Sequence, residues 1–159
     1  MPIEDIADTS FGLYVRDVED LTTAPGAPQL AADQSLSGLL LAARGEIWVN
    51  AAEARQWPPR RRFTIGHELG HWVMHRTGQQ SLFCRSTSID PDEDPSADAP
   101  AIPDIEEEAS AFAAALLMPA HLVRAHYQRL RDHTEMCKLF DASGAAMGRR
   151  MQAVVDADG

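Results

Sequence analysis

The fold of this chain is decided by residues 62–71, which read RFTIGHELGH. This stretch contains the pattern His-Glu-X-X-His, formed by His67, Glu68 and His71. Residues four apart lie on one face of a helix, so both imidazoles can reach one metal ion while Glu68 reaches a bound water molecule. The pattern predicts a zinc site with His67 and His71 as ligands and Glu68 as the catalytic base.

The residues around this pattern have the periodicity of an amphipathic helix, which we predict over Arg60–Arg76. At about 100° per residue, one side of this helix is an apolar stripe. Its members are Ile65, Leu69, Trp72 and Val73. Because His67 and His71 fall nearly opposite this stripe, we expect them to face a cleft. The alternative is a solvated pair of histidines that binds no metal.

A catalytic zinc site also needs a third protein ligand and an open position for water. The candidates are Glu106, Glu107 and Glu108, in the first turn of a helix predicted over Ile105–Met118. Glu106 lies nearest the apolar stripe of that helix, where a carboxylate is best tolerated if a cation neutralises it. We predict Glu106 as the third ligand. The other two fit better as solvated acidic residues that favour the helix dipole.

Hydrophobic patterns along the chain predict an α+β fold, in which a small antiparallel sheet packs on a helical core. The predicted strands are Phe11–Val18, Ser37–Ala42, Glu46–Asn50 and Ser81–Arg85, with a tight turn at Arg44–Gly45. The further predicted helices are Pro2–Asp8, His121–Asp132, Thr134–Phe140 and Ser143–Val154. Residues 22–35 are predicted as a loop, and the acidic, proline-rich stretch Ser86–Pro103 as a mobile loop or lid.

Length and composition set the organisation of the chain, which has 159 residues, 45% of them hydrophobic. We predict a metallopeptidase domain at 1–132, including the loop 86–103, and a helix-turn-helix-like appendage at 133–159 that belongs to the same globule. The net charge of −10 argues against non-specific binding to nucleic acid or to a membrane. Because no apolar run has the length of a membrane span and no signal peptide is recognisable, we expect a cytoplasmic protein. Cys84 and Cys137 are predicted to be free thiols.

Three stretches resemble the ImmA/IrrE-type metallopeptidases of bacteria and mobile elements. They are Glu46–Asn50, Arg62–His71 and Glu106–Pro119. The resemblance implies a zinc endopeptidase whose substrate is a helix-turn-helix repressor or an antitoxin, and it too implies Glu106 as the third ligand. The family usually has Asn or Asp where this chain has Ser110, which can still hydrogen-bond a ligand histidine. Compared with the family, the chain lacks most of a long N-terminal helix, and Ser86–Pro103 looks like an insertion.

The sequence leaves open which residue stabilises the oxyanion that forms during peptide hydrolysis. The candidates are His75, His121, His126, Tyr127 and the arginines of Arg60–Arg62. Two of these have plainer interpretations: His75 as a histidine favoured at a helix end, and the arginines as a solvated start of the helix.

Two functions other than proteolysis are compatible with the sequence. One is a toxin or regulatory binding module whose zinc site is structural and whose output is complex formation. The other is a DNA-binding regulator that uses the C-terminal helices with Arg149–Arg150. We favour packing or partner docking for those helices because they are rich in apolar residues. Glu68 favours catalysis, since a protein that only binds needs no base beside its metal.

Overall fold

The structure, a computed structural model, describes residues 1–27, 29–30, 34–75, 82–86 and 103–154, of which 82–86 and 103–104 are described by their backbone alone. Residues 87–102 of the predicted lid and the thiol of Cys84 lie outside this description. Its helices are α1 (Ile3–Phe11), α2 (Ala51–Gln56), α3 (Pro58–His75), α4 (Pro103–Leu117), α5 (Ala120–Leu130), α6 (His133–Phe140) and α7 (Gly144–Val154). Its strands are β1 (Tyr14–Val18), β2 (Ser35–Leu41), β3 (Glu46–Asn50) and β4 (Leu82–Ser86). No helix in the described ranges combines the length and apolar character that a membrane crossing requires.

The four described strands form one sheet in the order β1-β3-β2-β4. The predicted α+β fold class is confirmed, and β2 pairs antiparallel with both β3 and β4. However, the sheet is mixed and not purely antiparallel, because β1 pairs in parallel with β3. The reason lies in the connections. Strand β2 runs opposite to β1, and the short turn after β2 reverses the chain again. Strand β3 therefore runs in the direction of β1 and pairs beside it.

Side chains alternate between the two faces of this sheet, as the period of a strand requires. Ile47 and Val49 of β3 are buried in the main hydrophobic cluster together with Ile65 and Leu69 of α3. Trp48, between them in sequence, is buried on the opposite face against Leu21, from the segment that joins β1 to β2. Both faces of β3 are therefore covered, which is why its sequence is nearly continuously apolar.

The turn before β3 contains the glycine that the sequence predicts there. Gly45 has a φ of 63°, in the left-handed region that glycine adopts without strain. At the other end of β3, the side chain of Asn50 accepts hydrogen bonds from the backbone N–H groups of Ala52 and Glu53 at 3.0 and 3.1 Å. Asn50 thereby starts α2, a helix of 6 residues that the sequence analysis does not predict.

Helix α3 begins two residues earlier than predicted, at Pro58. Proline is tolerated in the first turn of a helix because the N–H group it lacks would have no partner there. Of the predicted apolar stripe, Ile65 and Leu69 are fully buried, and Trp72 packs against the same cluster. Val73 departs from the prediction, because 43% of it is exposed.

Helices α3 and α4 cross at a contact made of small residues. A Cβ atom added to Gly70 would lie 3.0 Å from the carbonyl oxygen and 3.1 Å from the Cα of Ala109. One turn earlier, a Cβ atom on Gly66 would lie 3.2 Å from the Cβ of Ala113. The two glycines on α3 thus face two alanines on α4, which lets the backbones of the two helices approach closely.

The C-terminal helices α6 and α7 pack into the main core. Met136 and Met147 are fully buried and belong to the same hydrophobic cluster as Leu69 of α3. The guanidinium group of Arg62 also donates to the carbonyl oxygens of Phe140 and Asp141, at 2.9 and 2.8 Å. These contacts join the C-terminal helix pair to the start of α3. The domain boundary between residues 132 and 133 stays a prediction.

Replacing Gly70 by alanine tests the close approach of α3 and α4, with Gly148→Ala as the matched control. Gly148 also lies in a helix, but a Cβ atom there would have its nearest neighbour, His133 Nε2, at 3.7 Å. Both substitutions gain the same intrinsic helix propensity, so the difference between their unfolding free energies isolates the steric conflict. We expect Gly70→Ala to be the less stable of the two by about 1–3 kcal/mol in denaturant unfolding. Equal stability would show that α4 can move away freely.

Candidate metal centre

Helix α3 carries His67, Glu68 and His71 on the side that lies between α4 and the sheet. All three are buried, with 2% of His67 exposed and none of Glu68 or His71. The sequence analysis expects the histidines to face a cleft. In the structure they are enclosed, because the Gly66 and Gly70 contact brings α4 directly against this side of the helix.

Three side chains from α3 and α4 converge on one point. The Nε2 atoms of His67 and His71 lie 3.0 Å apart. The carboxylate of Glu106 reaches both, with Oε2 at 3.1 Å from His67 Nε2 and Oε1 at 3.3 Å from His71 Nε2. Their donor atoms all lie within 4.8 Å of one another. Among the described residues, these three form the group of side chains that could hold one metal ion.

The protonation states of this cluster suit a metal ion. Burial raises the pKa of Glu106, but its hydrogen bonds with His67 and His71 outweigh this effect and lower the pKa to about 2. Burial is also the main reason that the pKa of His71 is lowered, which favours the neutral imidazole. Metal ions bind ionised carboxylates and neutral imidazoles. The donor set therefore fits a metal held by His67, His71 and Glu106.

Glu68 is the unusual group of the site. Both of its carboxylate oxygens are buried and have no hydrogen-bond partner among the described residues. Burial raises the pKa of Glu68 well above its ordinary value, and the negative charge of Glu106 adds to the effect. A buried carboxylate without a partner is costly for the fold, and strongly perturbed groups of this kind are typical of functional sites.

Gly38 of β2 provides the space beside Glu68. A Cβ atom at this position would collide with Cγ2 of Thr64 and would lie 3.2 Å from Oε1 of Glu68. The sequence analysis misses this residue. A glycine inside an apolar strand is a known signal of close backbone approach, and that signal is present in Ser37–Ala42.

The outer edges of the two histidine rings also have partners. Nδ1 of His67 lies 3.1 Å from Oγ of Ser110, so the serine occupies the position expected for a residue that orients a ligand histidine. Nδ1 of His71 lies 3.2 Å from Nδ1 of His75, the last residue of α3. His75 in turn reaches Glu108, with 2.8 Å between Nε2 and Oε2. Glu108 is therefore exposed, as the sequence predicts, and in addition it contacts His75.

The three glutamates at the start of α4 differ in burial as the helical register predicts. Glu106 is 8% exposed, while Glu107 and Glu108 are exposed. The register of α4 that places Ala109 against Gly70 also places Glu106, three residues earlier, on the same side of the helix. That register turns Glu106 toward the histidines, so its place in the cluster follows from the helix crossing.

The arginines proposed as oxyanion partners form ion pairs instead. Arg60 is buried and lies 3.2 Å from Glu53, while Arg61 pairs with Glu4 and Asp17. Arg62 binds the turn before α7. The prediction of a solvated helix start is thus wrong, because acidic and carbonyl groups from α1, α2, β1 and the C-terminal turn surround it.

The histidines and the tyrosine proposed for the same role also have distinct surroundings. His126 packs edge to face on Phe140, with 6.0 Å between ring centroids. Tyr127 packs against the main core, and His121 is exposed on α5. His75 contacts Nδ1 of His71, on the ring edge opposite the Glu106 contact. The oxyanion partner stays open, with His121 and Tyr127 as candidates from sequence only.

Comparison with protein families agrees with this geometry. The model of the M78 peptidase family, described as the IrrE N-terminal-like domain, matches residues 18–152. The chain belongs to this family. The match includes all three residues of the metal-binding cluster and Glu68, and membership in this M78 peptidase family indicates metallopeptidase activity. A search of curated proteins finds no significant match to the chain.

Removing Glu106 tests the metal centre directly. We expect Glu106→Ala to weaken the binding of a divalent metal ion at least about a hundredfold, since even residues that only orient a ligand contribute 10–100-fold. The exposed neighbour Glu107→Ala is the matched control and should leave metal content unchanged. Elemental analysis after dialysis against a chelator measures both. Full metal occupancy in Glu106→Ala would exclude this carboxylate as a ligand.

Ser110→Ala tests the orientation of His67. Loss of the hydroxyl removes the hydrogen bond to Nδ1, so metal affinity should fall about 10–100-fold while the fold is retained. Ser110→Asn, which restores a hydrogen-bonding side chain, should recover part of the affinity. Chelator competition is the measurement, and an unchanged affinity in Ser110→Ala would contradict the role.

Proposed function

We propose that this protein is a zinc-dependent endopeptidase that hydrolyses a peptide bond in a protein substrate. The observation that carries the proposal is Glu68, a fully buried carboxylate without a hydrogen-bond partner in the described structure, next to the His67, His71 and Glu106 cluster. A binding module would gain nothing from this costly group. An enzyme needs a base at that place.

Zinc is the metal we propose, because two imidazoles and one carboxylate, with a position left for water, are a ligand set of catalytic zinc. When bound, zinc supplies a Lewis acid that polarises a carbonyl group and makes water more acidic. The chain's own contribution is to orient this set. Ser110 holds His67, and the α3–α4 contact holds Glu106 beside both histidines.

The proton transfers in the reaction belong to Glu68. Its carboxylate accepts a proton from the attacking water as the new C–O bond forms at the peptide carbonyl carbon. It then returns that proton to the amide nitrogen as the C–N bond breaks, which releases a carboxylate and an amine. Burial raises the pKa of Glu68, which makes it a stronger base than an ordinary carboxylate, and a group that both accepts and returns a proton works best when its pKa lies near the working pH.

We further propose that the substrate is a helix-turn-helix repressor or an antitoxin, and that the protein acts in the cytoplasm, where such partners work. This part of the proposal rests on the resemblance to ImmA/IrrE-type metallopeptidases. The alternative is a toxin or regulatory module that keeps a zinc site and acts by forming a complex with such a partner.

Glu68→Gln separates catalysis from binding. We expect the variant to keep its zinc and to lose about 10²–10⁴-fold in cleavage rate, because the amide cannot accept the proton. Glu107→Gln makes the same chemical change at an exposed position and should cleave normally. Each form is co-expressed with a candidate helix-turn-helix repressor or antitoxin, and the intact mass of that partner is measured. Equal survival of the partner with zinc-loaded wild type and Glu68→Gln would favour the binding module.

A peptide library made from a cell lysate separates the chemistry from the identity of the partner. If wild type cleaves library peptides and Glu68→Gln does not, the protein is a peptidase even when the candidate repressor stays whole. If neither zinc-loaded form cleaves the library or the partner, the proposed peptidase activity is wrong.

A further inference from the structure

The ring of His71 has partners on both of its nitrogens. Nε2 faces the metal-binding cluster, at 3.3 Å from Oε1 of Glu106. Nδ1 faces the other way and lies 3.2 Å from Nδ1 of His75, whose Nε2 lies 2.8 Å from Oε2 of Glu108. A continuous chain of three polar side chains therefore starts at the metal-binding side of α3 and ends at the exposed surface of α4.

One arrangement of protons satisfies every contact in this chain. A histidine that binds a metal through Nε2 carries its proton on Nδ1. His71 therefore donates from Nδ1, and Nδ1 of His75 must accept. His75 then carries its own proton on Nε2 and donates it to the carboxylate of Glu108. Each donor meets one acceptor, and the negative charge lies at the outer end.

We propose that His75 and Glu108 are positioning residues, which fix the tautomer and the ring orientation of His71 and make its Nε2 a stronger metal ligand. This inference rests on the proposed function, since it assumes that Nε2 of His71 binds the metal. It assigns to Glu108 the role that a carboxylate commonly plays behind a metal-bound histidine. Here the effect passes through a second imidazole.

The position of the two residues argues against two other roles. His75 contacts His71 at Nδ1, on the ring edge opposite the Glu106 contact, so it is not a fourth ligand of the same metal. The pair also adds little to the stability of the fold, because 60% of the Glu108 side chain is exposed and exposed ion pairs contribute little to the free energy of unfolding. The side chain of His75 is only 12% exposed, and its covered position between His71 and Glu108 fits an orienting role.

The arrangement also makes α4 hold His71 from both sides. Glu106 reaches the inner edge of the ring directly, and Glu108, two residues further along, reaches the outer edge through His75. A rotation of the His71 ring would break contacts at both edges. The metal-binding geometry is thus tied to the start of a single helix.

The first test is a double-mutant cycle on zinc affinity, measured by competition with a chromophoric chelator. His75→Phe should weaken zinc binding about 10–100-fold, and Glu108→Gln several-fold. His75→Asn places an acceptor oxygen where Nδ1 stood and should restore most of the affinity. Glu108→Gln should have no further effect in the His75→Phe background, because the contact it removes is already lost. Glu107→Gln, the matched charge control, should bind zinc as wild type does.

The second test is the absorption spectrum of the Co²⁺-substituted protein, which reports the ligand field without requiring activity. We expect the bands of Glu108→Gln and His75→Asn to shift while their intensity stays that of wild type, because the number of protein ligands is unchanged. A collapse of intensity in His75→Asn would instead identify His75 as a ligand and overturn the proposal.

The outcomes separate this inference from the proposed function. If wild type binds neither zinc nor Co²⁺, the proposed function fails. If wild type binds zinc and Glu108→Gln binds it as tightly as Glu107→Gln does, only the positioning role proposed for His75 and Glu108 fails. Because Glu108 is exposed, its substitution leaves the fold intact, so this result can be read even if His75→Phe does not fold.

Discussion

The contact on which the rest of the structure depends is the close crossing of α3 and α4. Gly66 and Gly70 of α3 face Ala113 and Ala109 of α4. The two backbones are so close that a Cβ atom on Gly70 would meet the carbonyl oxygen and the Cα atom of Ala109. Dispersion forces act over such short distances that this packing tolerates little displacement. The crossing sets the distance between the helices and the rotation of each about its axis. Both are needed to place a glutamate from one helix against two histidines of the other.

The same closeness creates the electrostatic character of the site. Because α4 covers the histidine side of α3, the imidazoles and the carboxylates of Glu68 and Glu106 are removed from water. The pKa values of these two carboxyl groups then shift in opposite directions. The pKa of Glu106 falls to about 2 because the histidines donate to it, whereas burial raises the pKa of Glu68, which lacks such donors. Two residues of the same type thus acquire the two properties that metal binding and proton transfer require.

The sheet contributes to the site through a position that has no side chain. Glu68 lies against β2 at Gly38, where the absence of a side chain leaves room for Thr64 and for the carboxylate. The helix therefore packs closely on both sides, against Gly38 of the sheet and against Ala109 and Ala113 of α4. The buried site and the dense packing around α3 are consequences of the same glycines. Gly70 lies within the His-Glu-X-X-His motif and Gly66 directly precedes it, so the residues that allow the close packing and those of the candidate site share one stretch of α3.

Local sequence determined a large part of this protein. The spacing of His67, Glu68 and His71 fixes them on one side of a helix whatever the tertiary structure, and the apolar period of α4 places Glu106 nearest the core among three adjacent glutamates. Strand β3 and the glycine turn before it follow from patterns a few residues long. Such features depend on backbone geometry within one element, which the sequence of that element specifies.

Only the tertiary structure decided what lies between elements. The parallel pairing of β1 with β3 depends on how the chain crosses the sheet. The roles proposed for His75 and Glu108 depend on a contact between two side chains 33 residues apart in sequence. No local sequence pattern at either residue predicts which side chain it contacts. Contacts of this kind are set by the crossing of α3 and α4, a property of two packed helices that neither helix carries alone.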